Sequence, residues 1–214
     1  MKAGDSNDLF AMNKAHFSAV YTRKHFYDDD YDDAYDYMHG QKQLTFLGTH
    51  SVKSSASVGN HAGIVIMVSP DSKYYGDRKN FFTSGFGGKV HFATIGGGPD
   101  NTGSWSGILL SHVNRPDDID LSNKNGMQNL HVSDEEKIDK LFALNQHYMN
   151  IPNEKKAAYR FVPSLSFYDY NSNSYSHGLL KAAGIPAPQN PTGGTGIYPG
   201  WERPLPGPYF GVKE

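Results

Sequence analysis

Three polar positions in the sequence combine residue types that can carry out nucleophilic catalysis. His61 directly precedes an apolar run, His91 lies inside a second apolar segment, and residues 171–175 (NSNSY) begin a predicted helix. A helix N-terminus presents unpaired N–H groups and a partial positive charge, so it favours ionisation of a nucleophile such as Ser172 and can hold an oxyanion. A histidine on an adjacent strand can accept the proton, and a second polar group can orient that histidine.

Each of these positions also has a purely structural explanation, which the sequence leaves open. Asn171 or Ser172 can simply cap the helix, because asparagine and serine are preferred there. His61 can be a turn residue at a strand edge, and His91 can be a hydrogen-bonded histidine of the sheet. The remaining histidines show no ligand spacing, and we therefore predict neither a metal site nor any other cofactor. They include His25, His50, His131 and His147.

Three strands are predicted around the two histidines. Residues 62–68 (AGIVIMV) form a short, β-branched, nearly continuous apolar run, which is typical of a strand covered on both faces. Residues 89–95 (KVHFATI) alternate between apolar and polar types as a second strand, and residues 96–99 (GGGP) predict a turn that ends it. Residues 105–113 (WSGILLSHV) predict a third strand.

Two helices are predicted in the second half of the chain. The first covers residues 133–150, where Ser133 can cap the helix and Glu136, three residues later, completes a capping box. The second begins near Ser172 and ends at Gly184, which is the residue type expected just beyond a helix C-terminus.

Length and composition predict one domain over residues 1–214 with a core of its own. Residues 1–45 read as an acidic and aromatic N-terminal extension, and residues 186–214 as a proline- and glycine-rich tail. The acidic run at 28–33 predicts a solvated loop or helix start, because it lacks the glycine and distal glutamate of a calcium loop. Three tail aromatics are expected to hold the tail against the domain; these are Tyr198, Trp201 and Tyr209.

The overall charge and hydropathy exclude several classes of partner. A formal net charge of −2 argues against a nucleic-acid binder, which should carry a basic surface. No apolar stretch approaches the roughly 20 residues of a membrane span, and residues 1–10 lack the basic and apolar regions of a signal peptide. The chain contains no cysteine, so disulfides, thiolate metal sites and a thiol nucleophile are excluded for this sequence.

The order of these elements resembles the circularly permuted branch of the NlpC-type papain-like superfamily, which includes the lecithin:retinol acyltransferase-like proteins. Five segments are similar to bacterial domains of polymorphic-toxin and type VI effector proteins: HAGIVIMVSPD, TIGGGPD, VNRPDDI, YNSNSYSHGLLKAAG and PGWERPLP, spanning about residues 60–206. The resemblance implies an α+β papain-like domain with a central antiparallel sheet packed against helices. It also implies that Ser172 stands in the nucleophile position, His61 is the base and His91 is the orienting residue.

The resemblance departs from the family pattern at Ser172, where relatives carry cysteine. A thiol of pKa about 8.5 can be lowered to roughly 3.5–7.5 by a helix terminus and a histidine. An alcohol ionises much nearer to water, at about 15.7, so it depends wholly on base assistance. Ser172 is therefore a natural serine nucleophile, the mark of a lost activity, or a replaced cysteine; the sequence alone leaves all three open. Ser174 is a second candidate, two residues further into the helix.

The resemblance predicts hydrolysis of an amide or peptide bond, with cell-wall peptide (peptidoglycan) as the substrate of an antibacterial effector. Asn171, Asn173, Ser174 and Tyr175 are then expected to bind the substrate. The expected partners are an immunity protein or a secretion-system carrier. The expected location is secretion without a standard signal peptide, as in type VI delivery to a target periplasm, or the cytoplasm of the producer. A non-catalytic peptide- or glycan-binding module that uses Tyr175, Tyr198 and Trp201, and an acyltransferase, are the alternatives.

Overall fold

The computed structural model describes residues 43–51, 59–83, 91–100, 106–119, 124–163, 169–191 and 197–213. Within these residues, eight strands belong to one sheet: β1 Gln43–Ser51, β2 Asn60–Val68, β3 Phe82–Thr83, β4 His91–Pro99, β5 Ser106–Val113, β6 Lys124–Asn129, β7 Ala158–Arg160 and β8 Asp169–Tyr170. The α-helices among these described residues are α1 Pro116–Ile119, α2 Glu135–Asn150 and α3 Ser172–Ala183, with 3₁₀ turns at Asn153–Lys155 and Gly207–Phe210. The predicted α+β class is therefore confirmed.

The sheet has the strand order β6-β1-β2-β4-β5-β7-β8, and β3 pairs with β4. All the strand pairs are antiparallel except β7 with β8, so the sheet is mixed rather than purely antiparallel. The central strand β2 is buried along nearly its whole length, as its continuous apolar run predicts.

The two faces of β2 carry different chemistry because side chains alternate along a strand. Ala62, Ile64 and Ile66 face the hydrophobic core formed with α2 and α3. His61 and Gly63 lie on the opposite face, where a Cβ on Gly63 would be 3.8 Å from His61 Nε2. The sheet thus separates an apolar face covered by the helices from a face that carries the side chain of His61.

The structure corrects three boundaries drawn from the sequence. The predicted turn at residues 96–99 is wrong, because these residues are the second half of β4. The cap of α2 is Asp134, whose side chain accepts from the Glu136 N–H, rather than Ser133. β1 begins at Gln43, inside the segment predicted as an extension, and it was not predicted as a strand. The acidic run at 28–33 lies outside the described residues.

Helix α3 and the C-terminal tail pack tightly against each other. The predicted end of the helix is confirmed, since Gly184 adopts a left-handed conformation with φ of 75°. The Leu205 N–H donates to the Ser174 carbonyl at 2.8 Å, and a Cβ on Gly178 would overlap the Leu205 backbone. Trp201 and Phe210 of the tail are buried in the same core. The tail is therefore part of the folded unit over these residues.

Candidate functional site

The site lies where β2 and β4 separate. The last residue pair between these strands is Ile64 with Ile95. In an antiparallel ladder the N–H and C=O of one residue point to the same side, and alternate residues point to alternate sides. Asn60 and Ala62 therefore direct their backbone groups toward β4, as Ile64 does, but β4 has already turned away. Their backbone groups must find other partners, because a buried unpaired peptide group is costly.

The head of α3 fills this fork and supplies those partners. The Ala62 N–H donates to Asn173 Oδ1 at 2.8 Å, and Ser176 Oγ donates to the Ala62 carbonyl at 2.7 Å. Asn173 Nδ2 also donates to the Asn60 carbonyl at 2.9 Å. The side chain of Asn173 thus bonds to both chain neighbours of His61, and the first turn of α3 is fixed beside that histidine.

Asn171 is the N-cap of α3, so the structural explanation offered for it is confirmed. Its Oδ1 accepts from the N–H groups of Asn173 and Ser174, both at 3.0 Å. These two N–H groups are therefore occupied and cannot also hold an oxyanion. Ser172 follows as the first helical residue and is 8% exposed. Among the described residues, no hydrogen bond joins its hydroxyl to His61.

Three further residues of the NSNSY segment are engaged inside the protein. Asn173 Nδ2 also donates to the Pro199 carbonyl, and Ser174 Oγ donates to the Gly200 carbonyl at 2.9 Å. Tyr175 Oη donates to Asn145 Oδ1 at 2.6 Å, and its side chain is fully buried. Together with the cap Asn171, these predicted substrate-binding residues hold α3 in place, and Ser172 is the residue of the segment left for chemistry.

His61 is held by a carboxylate that the sequence analysis did not identify. Its Nε2 lies 3.0 Å from Asp118 Oδ1, and Asp118, in the short helix α1, is 2% exposed. Arg115 Nη2 lies 3.2 Å from the same Asp118 oxygen and 3.3 Å from His61 Nε2. Because arginine only donates, His61 Nε2 can serve only one of these neighbours. The shorter contact and the negative charge favour an Nε2–H that donates to Asp118, which leaves the lone pair on Nδ1.

His50 is the second histidine of the cluster, and the register of β1 with β2 explains its position. It lies directly opposite His61, with ring centroids 4.8 Å apart, and its Nε2 is 3.3 Å from Asp118 Oδ1. The cluster sits over a glycine of β4: a Cβ on Gly96 would be 3.0 Å from Asp118 Oδ2 and 3.5 Å from His61 Nε2. Gly96 therefore makes room for the buried carboxylate.

Burial and charge set the protonation of the central pair. Burial lowers the pKa of His61 to about 4, although the neighbouring Asp118 carboxylate opposes this shift. Burial by itself would raise the pKa of Asp118. The attraction of His61, the hydrogen bonds from both histidines and the Arg115 guanidinium outweigh burial and hold that pKa well below its usual range. At neutral pH the cluster therefore contains an ionised carboxylate and a neutral His61, which is the form that can accept a proton.

The structure does not bring His91 to this cluster. His91 pairs with Val68, at the far end of β2 from His61. The two positions on β2 are seven residues apart, or about 23 Å at roughly 3.3 Å per residue. The His91 ring instead packs against Tyr75, with ring centroids 4.2 Å apart. Asp118 occupies the place beside His61 that the sequence analysis gave to His91.

Asp118 and Arg115 were missed because their only sequence signal was the segment VNRPDDI, which was used for the resemblance and not for chemistry. His50 was set aside because spacing along the chain cannot show a cross-strand neighbour. The aromatics assigned to a binding groove are also placed differently from the expectation: Tyr198 is 9% exposed and Trp201 is 2% exposed. Trp201 Nε1 donates to the Pro188 carbonyl. These rings are packing residues of the tail.

Comparison with known proteins adds no relative: no family model, curated protein or solved structure matches the chain. Of the helices in the described ranges, none has the length and apolar character needed to cross a bilayer. Function must therefore be argued from the geometry of the cluster and of the helix head.

Proposed function

We propose that this protein is an amide- or peptide-bond hydrolase in which Ser172 is the nucleophile and His61 is the general base. Asp118 takes the orienting role. The proposal rests on the hydrogen bonds between the first turn of α3 and β2, at the point where β2 and β4 separate. There the Asn173 side chain bonds to the backbone of Asn60 and Ala62, on either side of His61. These bonds tie the residue that follows Ser172 to the backbone on either side of His61, whose imidazole is held by Asp118.

The choice of ring nitrogen that contacts Asp118 supports the assignment of His61 as the general base. Asp118 engages Nε2, so the nitrogen available to receive a proton is Nδ1. Nδ1 is the ring nitrogen nearer to the main chain, and that main chain is the part bonded to the head of α3. Because the His61 side chain lies on the face of the sheet opposite to α3, the proton of Ser172 would pass to Nδ1 around the end of the β2–β4 pairing as the hydroxyl oxygen attacks the substrate carbonyl. The same nitrogen would then protonate the leaving amine, and water would hydrolyse the resulting acyl-serine ester.

The hydrogen bonds of the helix cap limit which backbone N–H groups could stabilise the oxyanion of the proposed reaction. The N–H groups of Asn173 and Ser174 are used by the cap, whereas the Ser172 N–H makes no hydrogen bond within the described residues. A backbone N–H at the first position of a helix is suited to a developing negative charge, because the helix dipole adds to it. We assign the Ser172 N–H as the oxyanion donor of the proposed reaction.

We propose cell-wall peptide as the substrate, with delivery as an antibacterial effector and neutralisation by an immunity protein in the producer. This part rests on the resemblance of segments such as HAGIVIMVSPD and YNSNSYSHGLLKAAG to toxin- and effector-associated domains. A release assay on purified peptidoglycan tests it, with the native chain, Ser172→Ala and His61→Ala compared. Soluble peptide fragments should appear with the native chain and be lost in both variants.

A thiol probe tests the catalytic pair without any substrate. The chain has no cysteine, so Ser172→Cys introduces a single thiol. Beside a helix terminus and His61 its pKa should fall below the usual value of about 8.5. The rate of alkylation by iodoacetamide is measured as a function of pH in Ser172→Cys and in the double variant that also carries His61→Ala. The exposed Ser133→Cys provides the matched control thiol.

The expected result is a reactive thiolate at lower pH in Ser172→Cys than in Ser133→Cys, with the difference reduced by His61→Ala. If the Ser172→Cys profile is identical with and without His61, the two side chains do not communicate and the proposed catalytic pair is wrong.

A further inference from the structure

The His50, His61 and Asp118 side chains converge in a way that a general base alone does not require. A histidine base needs one orienting group, and His61 already has Asp118. His50 adds a second imidazole nitrogen, directed at the same carboxylate oxygen from the neighbouring strand. All three side chains are buried, so this arrangement is not a chance meeting of mobile surface groups.

The separations of the three ligand atoms fit a bound transition metal. His61 Nε2 and His50 Nε2 lie 3.0 and 3.3 Å from Asp118 Oδ1, and the three residues together offer one ligand atom each within 4.8 Å of one another. Ligands about 2.0–2.1 Å from one tetrahedral zinc ion are separated by roughly 3.3 Å. The two nitrogen–oxygen separations therefore match the spacing of ligands around one such ion.

The ligand types select the class of metal. Two imidazole nitrogens and one carboxylate oxygen suit Zn²⁺ and similar divalent transition metals, whereas Mg²⁺ and Ca²⁺ prefer oxygen ligands throughout. Three protein ligands would also leave at least one coordination position for water or another group.

The Arg115 guanidinium places a positive charge beside the three candidate ligand residues. Its Nη2 contacts both Asp118 Oδ1 and His61 Nε2, which are two of the three ligand atoms. The Arg115 guanidinium is not fully hydrogen-bonded in this position, because its Nε is buried without a hydrogen-bond partner. The side chain is 23% exposed, so it can move toward solvent. We propose that His50, His61 and Asp118 form a site for a divalent transition metal such as Zn²⁺, for which the Arg115 guanidinium is the competing internal cation.

Metal binding of this kind goes beyond the proposed hydrolase and does not depend on it. One consequence does rest on that function. A metal bound through His61 Nε2 leaves the ring proton on Nδ1, so the base can no longer accept the proton of Ser172. The ion would therefore inhibit the proposed hydrolysis reversibly, while its binding would be measurable even if the chain cleaves nothing.

Titration of the chelator-treated protein with Zn²⁺, followed by calorimetry, tests the site directly, and Co²⁺ absorption spectra report the geometry. The native chain is compared with His50→Ala and Asp118→Asn, which each remove one ligand, and with Arg115→Met, which removes the competing cation. His147→Ala is the matched control, since it removes an exposed histidine on α2. Near-ultraviolet circular dichroism of every variant establishes that it is folded.

Arg115→Met should bind one Zn²⁺ more tightly than the native chain by at least about tenfold, because a positive charge about 4 Å from the ion is removed. His147→Ala should bind as the native chain does, and His50→Ala and Asp118→Asn should each lose this ion. Equal zinc binding by the native chain and by both folded ligand variants would overturn the metal site. No binding by either the native chain or folded Arg115→Met would overturn it as well.

Discussion

Replacing Asn173 by alanine should strongly destabilise the protein, because this one side chain closes the fork between β2 and β4. Its Oδ1 accepts from the buried Ala62 N–H, and its Nδ2 donates to the carbonyls of Asn60 and Pro199. Alanine would leave all three groups without these partners. An unsatisfied buried group costs about 1–3 kcal/mol, and the two partly buried carbonyls can recover some hydration, so we expect a loss of about 3–5 kcal/mol.

Urea unfolding at neutral pH measures this loss as the change in the free energy of unfolding, with the denaturant slope checked for constancy. Gln146→Ala is the control, since it removes an exposed side-chain hydrogen bond to Asn150 on α2 that is worth about 0.2–0.5 kcal/mol. A loss below about 1 kcal/mol for Asn173→Ala with an unchanged slope would mean that the side chain does not bridge the strand and the helix as described.

Two further predictions concern packing and pH. Gly97→Ala should lower the free energy of unfolding by about 1–3 kcal/mol in the same assay, because the new Cβ would lie 2.7 Å from Tyr175 Cβ. The control Gly76→Ala, whose new Cβ would have no atom within 4 Å, should stay within about 0.5 kcal/mol of the native chain. His61 has a folded pKa of about 4 and an unfolded pKa near 6.5, so its stabilising effect is complete above pH 6.5 and is lost as pH falls toward 4, by up to about 3 kcal/mol. Unfolding of the native chain and of His61→Gln, both with chelator, should therefore converge as pH falls through that range; parallel curves would show that His61 is not held neutral.

The elements with strong local signals were predictable from the sequence. The apolar run of β2 and the end of α3 at Gly184 follow from residue pattern and backbone preference. The glycines at residues 96–98 misled the prediction because a tertiary requirement overrides their turn preference. Gly97 admits Tyr175, and Gly96 admits Asp118. Neither neighbour is visible from the local sequence.

The candidate site was predictable only in part, for a related reason. His61 and Ser172 stand beside recognisable elements, so local rules single them out. Asp118 reaches His61 because of the chain path after β5, and His50 reaches it through the β1–β2 register. Contacts between residues so far apart in the sequence depend on long-range strand pairing, which no local sequence pattern encodes. His91 was a plausible partner by its strand, but the register carries it to the other end of β2.

The hydrogen bonds from the head of α3 to the tail limit how far the protein can be shortened. The Pro199 carbonyl accepts from both Asn171 and Asn173, and the Gly200 carbonyl accepts from Ser174. A chain cut just before Pro199 would retain the eight described strands of the sheet yet lose three hydrogen bonds that hold the helix bearing Ser172. Shorter versions made for expression should consequently run through Phe210, and an added affinity tag belongs beyond that residue.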